Sequence, residues 1–312
     1  MSEGSSLLVN VLASGMAGII ARVFTHPLDT AKARLQAVYT TQQEQHYRGT
    51  VDVLRKTLRT EGIQGFYRGF GAVLVGGTPG TAIYLCGYEA AKKGLAEQYR
   101  GNDFVIHFTA GMIAETLACI IYVPVDVVKE RMQVQHKTGG KLTYRNSWDA
   151  LQKIAATEGL TGIYKGYAAT LGSFGPFSAL YFVCYERFKY WTRLHLTQSN
   201  NRELRELEHI EVPFHWLLVC SSSAGALASW VTSPLDMVKL RLQVQRGMDH
   251  SNRNTSSTYN GVWDCWQKTY RAGGLAGLWR GAGARVLYTV PATTITMTSY
   301  ETCQSIIAKA LS

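Results

Sequence analysis

Acidic residues are in short supply. Only 22 Asp and Glu face 32 Lys and Arg over 312 residues, leaving a net charge of +10. That excess suits an anionic partner, either phosphate-rich lipid or nucleic acid. Charge of both signs is itself sparse at 17%, against 46% hydrophobic residues, which is apolar but not enough to assign a membrane by composition. The six cysteines (Cys86, Cys119, Cys184, Cys220, Cys265 and Cys303) form no C-x-x-C pair. With no C-x-x-C pair and no secretory leader read ahead of them, a metal cluster and a disulfide framework are both disfavoured, and reduced packing thiols are expected. Met1-Ser-Glu-Gly lacks the h-region of a signal peptide and the Arg-rich, acid-poor pattern of a transit peptide, so targeting is expected to be internal. No nucleophile–base set, metal box or phosphate-binding Gly loop stands apart from the repeat described next, which argues against an enzyme, a resident metal or a bound cofactor.

What the chain does have is a signature written three times. It reads Pro27-Leu-Asp29-Thr-Ala-Lys32-Ala-Arg34-Leu-Gln36, then Pro124-Val-Asp126-Val-Val-Lys129-Glu-Arg131-Met-Gln133, then Pro234-Leu-Asp236-Met-Val-Lys239-Leu-Arg241-Leu-Gln243. The copies stand about a third of the chain apart, so three units are expected, at 1–100, 101–210 and 211–312. Each unit continues through a polar connection, a short amphipathic segment and an aromatic-basic-Gly turn (Tyr67-Arg68-Gly69, Tyr164-Lys165-Gly166, Trp279-Arg280-Gly281). A second apolar stretch follows, with a proline at Pro79, Pro176 or Pro291 and an end of the form Tyr88-Glu89-x-x-Lys92, Tyr185-Glu186-x-x-Lys189 or Tyr300-Glu301-x-x-Gln304. Glu61-Gly62 and Glu158-Gly159 precede the first two turns, whereas the third repeat has Gly273-Gly274.

The six apolar stretches, 7–37, 71–96, 104–134, 169–194, 212–244 and 283–311, all exceed the roughly 20 residues a helix needs to cross a hydrocarbon core. An all-α membrane protein follows: six transmembrane helices in three tandem helix-loop-helix repeats with threefold pseudosymmetry. None of the stretches is free of charge, since Arg22, Glu115 and Arg285 fall in or near them. Such charges are tolerated where they face a protein-lined, watery interior, which predicts a central cavity; the competing architecture is a soluble helical repeat with buried ion pairs.

Proline bends a helix, here toward the threefold axis. Three converging ends would then let each Asp meet a neighbour's Lys, pairing Asp29 with Lys129, Asp126 with Lys239 and Asp236 with Lys32, while Gln36, Gln133 and Gln243 brace the pairs from two turns below. The alternative is a local pair between each Asp and its own i+3 Lys. At the other end Glu89, Glu186 and Glu301 can face Lys92, Lys189 and Gln304, a ring with only two ionic links and so the weaker barrier. Two rings broken alternately are the gates of a transporter. The aromatic-basic-Gly turns read either as lipid-phosphate sites or as packing turns. Cations spread threefold and paired with acids do not form a nucleic-acid surface.

This motif set resembles the mitochondrial carrier family, and the resemblance covers essentially the whole chain. It implies a monomeric bundle in the mitochondrial inner membrane with both termini on the cytosolic side. It also implies a matrix gate at Asp29, Lys32, Gln36, Asp126, Lys129, Gln133, Asp236, Lys239 and Gln243, and a cytosolic gate at Glu89, Lys92, Glu186, Lys189, Glu301 and Gln304. Cardiolipin is implied at Arg68, Gly69, Lys165, Gly166, Arg280 and Gly281. The family's substrate contact points correspond to Gly76-Gly77, Ser173-Phe174 and Tyr288-Thr289. These carry no charge, which disfavours large polyanions. Arg22 and Glu115 are then the cavity charges, one of each sign, and suit a small zwitterionic or cationic solute. Glu115 stands where Gly18 and Gly225 occur in the other repeats, serving either substrate or proton coupling or an internal ion pair. The segment around Glu115 is similar to S-adenosylmethionine carriers, which show Arg-Glu where this chain has Ser173-Phe174. The stretches 76–84 and 285–291 are similar to mitoferrins, whose His on the second helix is Thr81 here. The alternatives are therefore mitoferrin-like metal transport, with His26, His107 or Met297 as substitute ligands, and a non-transporting membrane protein on the same scaffold.

Overall fold

The computed structural model describes residues 3–37, 47–98, 103–135, 143–199, 212–245 and 259–310, and the regular structure among them is helical. The helices are α1 (Glu3–Gln36), α2 (Thr50–Glu61), α3 (Phe70–Gln98), α4 (Asp103–Val134), α5 (Ser147–Ile163), α6 (Tyr167–Ser199), α7 (Phe214–Val231), α8 (Ser233–Val244), α9 (Val262–Leu278) and α10 (Ala282–Ala310), with one 3-10 turn at Ile63–Gly65. The long helices close a ring: α1 packs on α3, α3 on α4, α4 on α6, α6 on α7, α7 on α10, and α10 back on α1. Large apolar side chains such as Phe24, Val75, Ile120, Val219, Trp230 and Leu287 are exposed on the outside, as a lipid-facing surface requires.

Two features depart from the sequence reading. The stretch 212–244 is not one helix, because Thr232 has left the α7 conformation and Pro234 sits in the first turn of α8, where its missing N–H costs nothing. Pro27 and Pro124, by contrast, lie inside continuous helices. The polar connection expected to begin at Thr197 begins later, since α6 runs to Ser199; the short helix expected at 202–208 lies outside the described residues. By length and apolarity four segments qualify as membrane spans, Val9–Gln36, Ile63–Ala96, Val105–Val134 and Phe214–Val231. Helices α6 and α10 are long enough but too polar, and α10 shows why this is tolerable. Its Thr289, Thr293, Thr294, Thr298 and Thr302 hydroxyls donate to carbonyls one turn back, satisfying themselves within the helix.

The aromatic-basic-Gly turns repair what the prolines break. A proline inside a helix leaves the carbonyl four residues earlier without its N–H, so Pro27 and Pro124 free the carbonyls of Val23 and Ile120, while in the third repeat Trp230 lies in the last turn of α7, whose carbonyls have no following helical N–H. The Tyr67 hydroxyl donates to Val23 O at 3.0 Å, the Tyr164 hydroxyl to Ile120 O at 3.1 Å, and the Trp279 indole Nε1 to Trp230 O at 3.1 Å. The recurring aromatic is therefore a polar-tipped one for a reason. The glycine of each turn is forced by close approach in a left-handed backbone. A Cβ on Gly69 (φ +82°) would lie 2.9 Å from the Lys129 backbone, and one on Gly166 (φ +83°) or Gly281 (φ +86°) would strike the Gln243 or Gln36 side chain. Each turn thus seats the next repeat's signature helix.

Helices α2, α5 and α9 pack their apolar faces on α1, α4 and α8 through Val53, Ile154 and Cys265. Their starts share a second device. Asp52, Asp149 and Asp264 accept from the backbone N–H four residues earlier, at Arg48, Arg145 and Asn260, and pair with Lys56, Lys153 and Lys268 at 2.8–2.9 Å. Those backbone donors hold Asp52 and Asp149 below the usual carboxylate range, and the Lys268 ammonium, helped by the Asn260 N–H, does the same for Asp264. Burial pushes the Cys265 thiol up to about 11.

Two tests follow. Tyr164→Phe leaves the Ile120 carbonyl without a donor and is expected to cost about 1–3 kcal/mol, read as a lower thermal midpoint of the purified protein; an unchanged midpoint rejects the repair. Because the three Asp are depressed, their contribution is present above the unfolded carboxylate pKa and fades as pH falls through the folded one. Asp149→Asn is accordingly expected to lower stability by a constant amount above that range and to flatten the acid side of the stability–pH curve, where the wild type loses the same contribution.

Candidate functional site

The signature helices converge at one end and are joined there by ion pairs between repeats. Lys32 Nζ lies 2.7 Å from Asp236 Oδ2, Lys129 Nζ 3.2 Å from Asp29 Oδ2, and Lys239 Nζ 2.7 Å from Asp126 Oδ2. The structure thus brings the six predicted residues together across repeats, with one local i+3 contact, Lys129 to Asp126, at a longer 3.9 Å. Gln133 donates to Asp29 at 3.2 Å and Gln36 to Asp236 at 3.4 Å. Gln243 breaks the pattern by turning to the Thr170 hydroxyl at 3.5 Å instead of Asp126. The cause lies four residues after each turn glycine: Val73, Thr170 and Arg285 occupy equivalent places, and of these only the threonine can accept a bond.

The sequence reading passed over a second belt just below the first. Arg34, Arg131 and Arg241 are among the most buried side chains of the protein. Each Nε donates to a backbone carbonyl of the next repeat, Gln133 O at 2.9 Å, Gln243 O at 2.9 Å and Gln36 O at 3.0 Å. The guanidinium forks of Arg34 and Arg131 are filled by Glu61 (2.7 and 2.9 Å) and Glu158 (2.5 and 2.9 Å). In the third repeat, with Gly273 at that place, Arg241 donates to Thr269 at 2.6 Å. The signal was legible: an Arg two residues after every Lys, and Glu-Gly twice at a fixed distance beyond. Arg285 was noticed only as a charge in a span. It is buried, sits over the Phe177 ring and lies 3.4 Å from Asp236, adding a fourth cation to the ring.

The opposite end is not closed in this way. Glu89, Glu186 and Glu301 are exposed, Lys189 pairs with its own Glu186 at 3.6 Å and lies over the Tyr185 ring, and Gln304 donates to Asn10 at 3.1 Å, as does the Tyr300 hydroxyl. Among the described residues no ion pair joins Glu89, Glu186 or Glu301 to another repeat, and Lys92 has no described acid partner. Glu186 also lines a separate recess of about 720 Å³ with Tyr88, His107 and Arg187.

Between the ends lie two adjoining chambers. The one above the ion pairs is about 180 Å³, and the next, about 470 Å³, shares Arg22, Thr25 and Tyr288 with it and extends past Thr81, Thr296 and Tyr300. Arg22 borders both and makes no ion pair among the described residues. The predicted contact points divide. Gly77 meets open space, Phe174 lies edge-on to Tyr84, and Tyr288 lines both chambers. Gly76 is instead packed against Val125, Ser173 is buried, and Thr289 bonds Ser229 at 2.9 Å, so these three serve helix packing. Glu115 is buried, with Cys119 Sγ 3.6 Å from its Oε1 and no ion pair among the described residues. Of the six basic-Gly positions, Arg68 contacts Glu61 and bonds Gln135 O at 3.2 Å, and Arg280 bonds Tyr47 O at 3.2 Å. Lys165 is half-buried, where desolvation lowers its pKa. The described residues contain no group of three His, Cys, Asp or Glu that could hold a metal ion.

Comparison with known proteins matches this geometry to a family. A model described as "Mitochondrial carrier protein" matches residues 3–99, 100–195 and 211–311. "Mitochondrial substrate carrier family protein E" of Dictyostelium discoideum is 32% identical over 96% of this chain and 96% of its own length. Mitoferrin-1 of Danio rerio is 30% identical over 95% of this chain and 84% of its own. "Protein MITOFERRINLIKE 1, chloroplastic" of Arabidopsis thaliana is 31% identical over 97% of this chain and 69% of its own.

The cross-repeat lock has a direct test in a double-mutant cycle. Asp126→Asn alone strands Lys239 and is expected to cost about 3 kcal/mol. Combined with Lys239→Gln it is expected to cost clearly less than the two single losses added, by about 1 kcal/mol or more. Thermal unfolding of the four proteins measures this, and strict additivity would falsify the pair.

Proposed function

Since the chain belongs to the mitochondrial carrier family, whose members are transporters and not enzymes, we propose that it moves a small zwitterionic or cationic solute, an amino acid or an S-adenosylmethionine-like compound, by alternating access. The observation that carries this reading is the contrast between the two ends: three ion pairs between repeats close one, and among the described residues nothing comparable closes the other. Family proteins reside in the mitochondrial inner membrane as multi-pass proteins. We place this chain there as a monomer, with both termini on the cytosolic side, the Asp–Lys end toward the matrix and the Glu ends toward the cytosol.

Cargo chemistry follows from the chambers. Arg22 lines both chambers with Tyr288 and has no ion pair among the described residues, while Glu115, which lines neither chamber, is buried beside Cys119 as the nearby carboxylate. Gly77, Phe174 and Tyr288 supply shape without charge. A nucleotide or tricarboxylate would need several buried cations that this set does not provide. A second reading, transport of iron or another divalent metal, draws on the mitoferrin relatives. It has against it Thr81 in place of the ligand histidine and the want of a metal-holding cluster among the described residues. The turns at Arg68-Gly69, Lys165-Gly166 and Arg280-Gly281 are assigned to lipid phosphate such as cardiolipin's, with the helix N-terminal amides carrying the contact where the cations are tied to neighbours.

The test is uptake into proteoliposomes, preceded by a thermal-stability screen against amino acids, S-adenosylmethionine, nucleotides and divalent metals. Stabilisation and uptake of a zwitterion or organic cation are expected. Glu115→Gln is expected to lower that uptake at least tenfold. Uptake confined to a divalent metal would support the second reading, and no uptake of anything would favour a scaffold that no longer transports.

A further inference from the structure

Below the ion pairs the converging helices form an apolar plug. Ala33, Ala37, Val134, Leu240 and Val244, drawn from all three repeats, make one buried cluster. In the first and third repeats the residues come in pairs a turn apart, Ala33 with Ala37 and Leu240 with Val244, each pair opening immediately after the signature lysine. The second repeat supplies Val134 and, at the place of Ala33 and Leu240, Glu130. This carboxyl is 6% exposed and borders the 180 Å³ chamber. Its Oε2 has no hydrogen-bond partner among the described residues.

The cations nearby are committed elsewhere. Lys32 and Arg285 are bound to Asp236, Lys129 to Asp29 with Asp126 further off, and Lys239 to Asp126. From α1 the chamber also receives Arg22 and His26, the latter anchored through Nδ1 to Phe66 O at 2.7 Å with its Nε2 unpartnered; from α10 it receives Tyr288, and from α3 the uncharged Val73. A carboxylate held in such a plug without a partner carries a heavy desolvation cost, whereas the neutral acid is far cheaper to bury. Parting of the Asp–Lys pairs would free lysines and admit water, which removes that cost.

We propose that Glu130 is a proton-binding site that couples proton movement to the carrier cycle. With the Asp–Lys end closed, a proton from water in the chambers bonds to a Glu130 carboxylate oxygen, reaching it along the surface shared by Arg22, Thr25 and Tyr288. When that end opens, the O–H bond breaks and the proton passes to water on the other side. No redox partner is involved. The proposal rests on the carrier reading, but its first test does not.

That test is infrared spectroscopy of the purified protein near neutral pH. The wild type is expected to show the carbonyl stretch of a protonated, buried carboxyl, shifted in deuterium oxide, and Glu130→Gln and Glu130→Leu are expected to lose it. Leucine is what the third repeat carries at this register, so a variant that fails to fold through glutamine alone does not end the test. A wild type without the band, or a variant that keeps it, overturns the proposal. The second measurement is uptake of labelled S-adenosylmethionine into proteoliposomes under an imposed pH gradient, alkaline at the closed-end side. Several-fold acceleration in the wild type that vanishes in Glu130→Leu, with ungradiented uptake persisting, supports the coupling; equal acceleration in both overturns it. Should the probe not enter at all, the infrared result alone decides for or against Glu130, and the cargo assignment is what has failed.

Discussion

Three buried ion pairs, each made between different repeats, are the constraint from which the rest of this structure follows. A Lys–Asp pair out of water is not a generous source of stability, because two charges must be desolvated to form it. Its value is specific: once one partner is buried, the other must be present. Placing the partners on separate repeats turns three such obligations into a closed ring, with 32 paired to 236, 129 to 29 and 239 to 126. A ring of this kind is stable when complete and weak when any member moves, which is the property a gate needs.

The closed end is built rigidly around that ring. At each signature a backbone carbonyl is left without a helical N–H, and the aromatic of the turn supplies the bond from outside. The turn glycine then lets the next repeat's helix lie against it, and the arginine two residues past each lysine stitches that helix to the following repeat through a backbone carbonyl. Sequence, local conformation and packing thus meet in one device written three times. The signature helix supplies the lock, and the turn behind it supplies the seat.

Much of this was legible because the repeat makes three independent statements of each rule. One Pro-x-Asp-x-x-Lys would have been an ordinary helix end, whereas three of them identify which charges must answer which. Half of the arginine belt was legible, as an Arg two residues after each Lys with Glu61 and Glu158 at a fixed distance beyond; the other half was not, because its acceptors are backbone carbonyls, which leave no mark in a residue alphabet. The split between chamber-lining Tyr288, with the unpacked Gly77, and packed Gly76, Ser173 and Thr289 depends on helix rotation by less than one residue's turn, finer than periodicity fixes. Gln243 departed from its expected place through a neighbour, Thr170, whose equivalents Val73 and Arg285 cannot accept a bond. The break at Thr232 was likewise invisible, since Pro27 and Pro124 stand in the same motif inside unbroken helices.

Two departures from symmetry on α10 act in one direction. At the closed end α10 contributes Arg285, which gives Asp236 a second cation beside Lys32. At the open end the same helix contributes Gln304 where the other repeats have lysine, so that one link of the ring proposed there would be neutral. A charge-assisted hydrogen bond contributes roughly 1.5–3 kcal/mol and a neutral one about 0.5–1.5. One link gained at the first end and one weakened at the second would therefore shift the balance by about 2–5 kcal/mol toward the conformation seen here. At 1.4 kcal/mol per factor of ten, that bias is large enough to set the resting state of an empty carrier. It is also small enough for a bound solute with differential affinity for the two states to reverse.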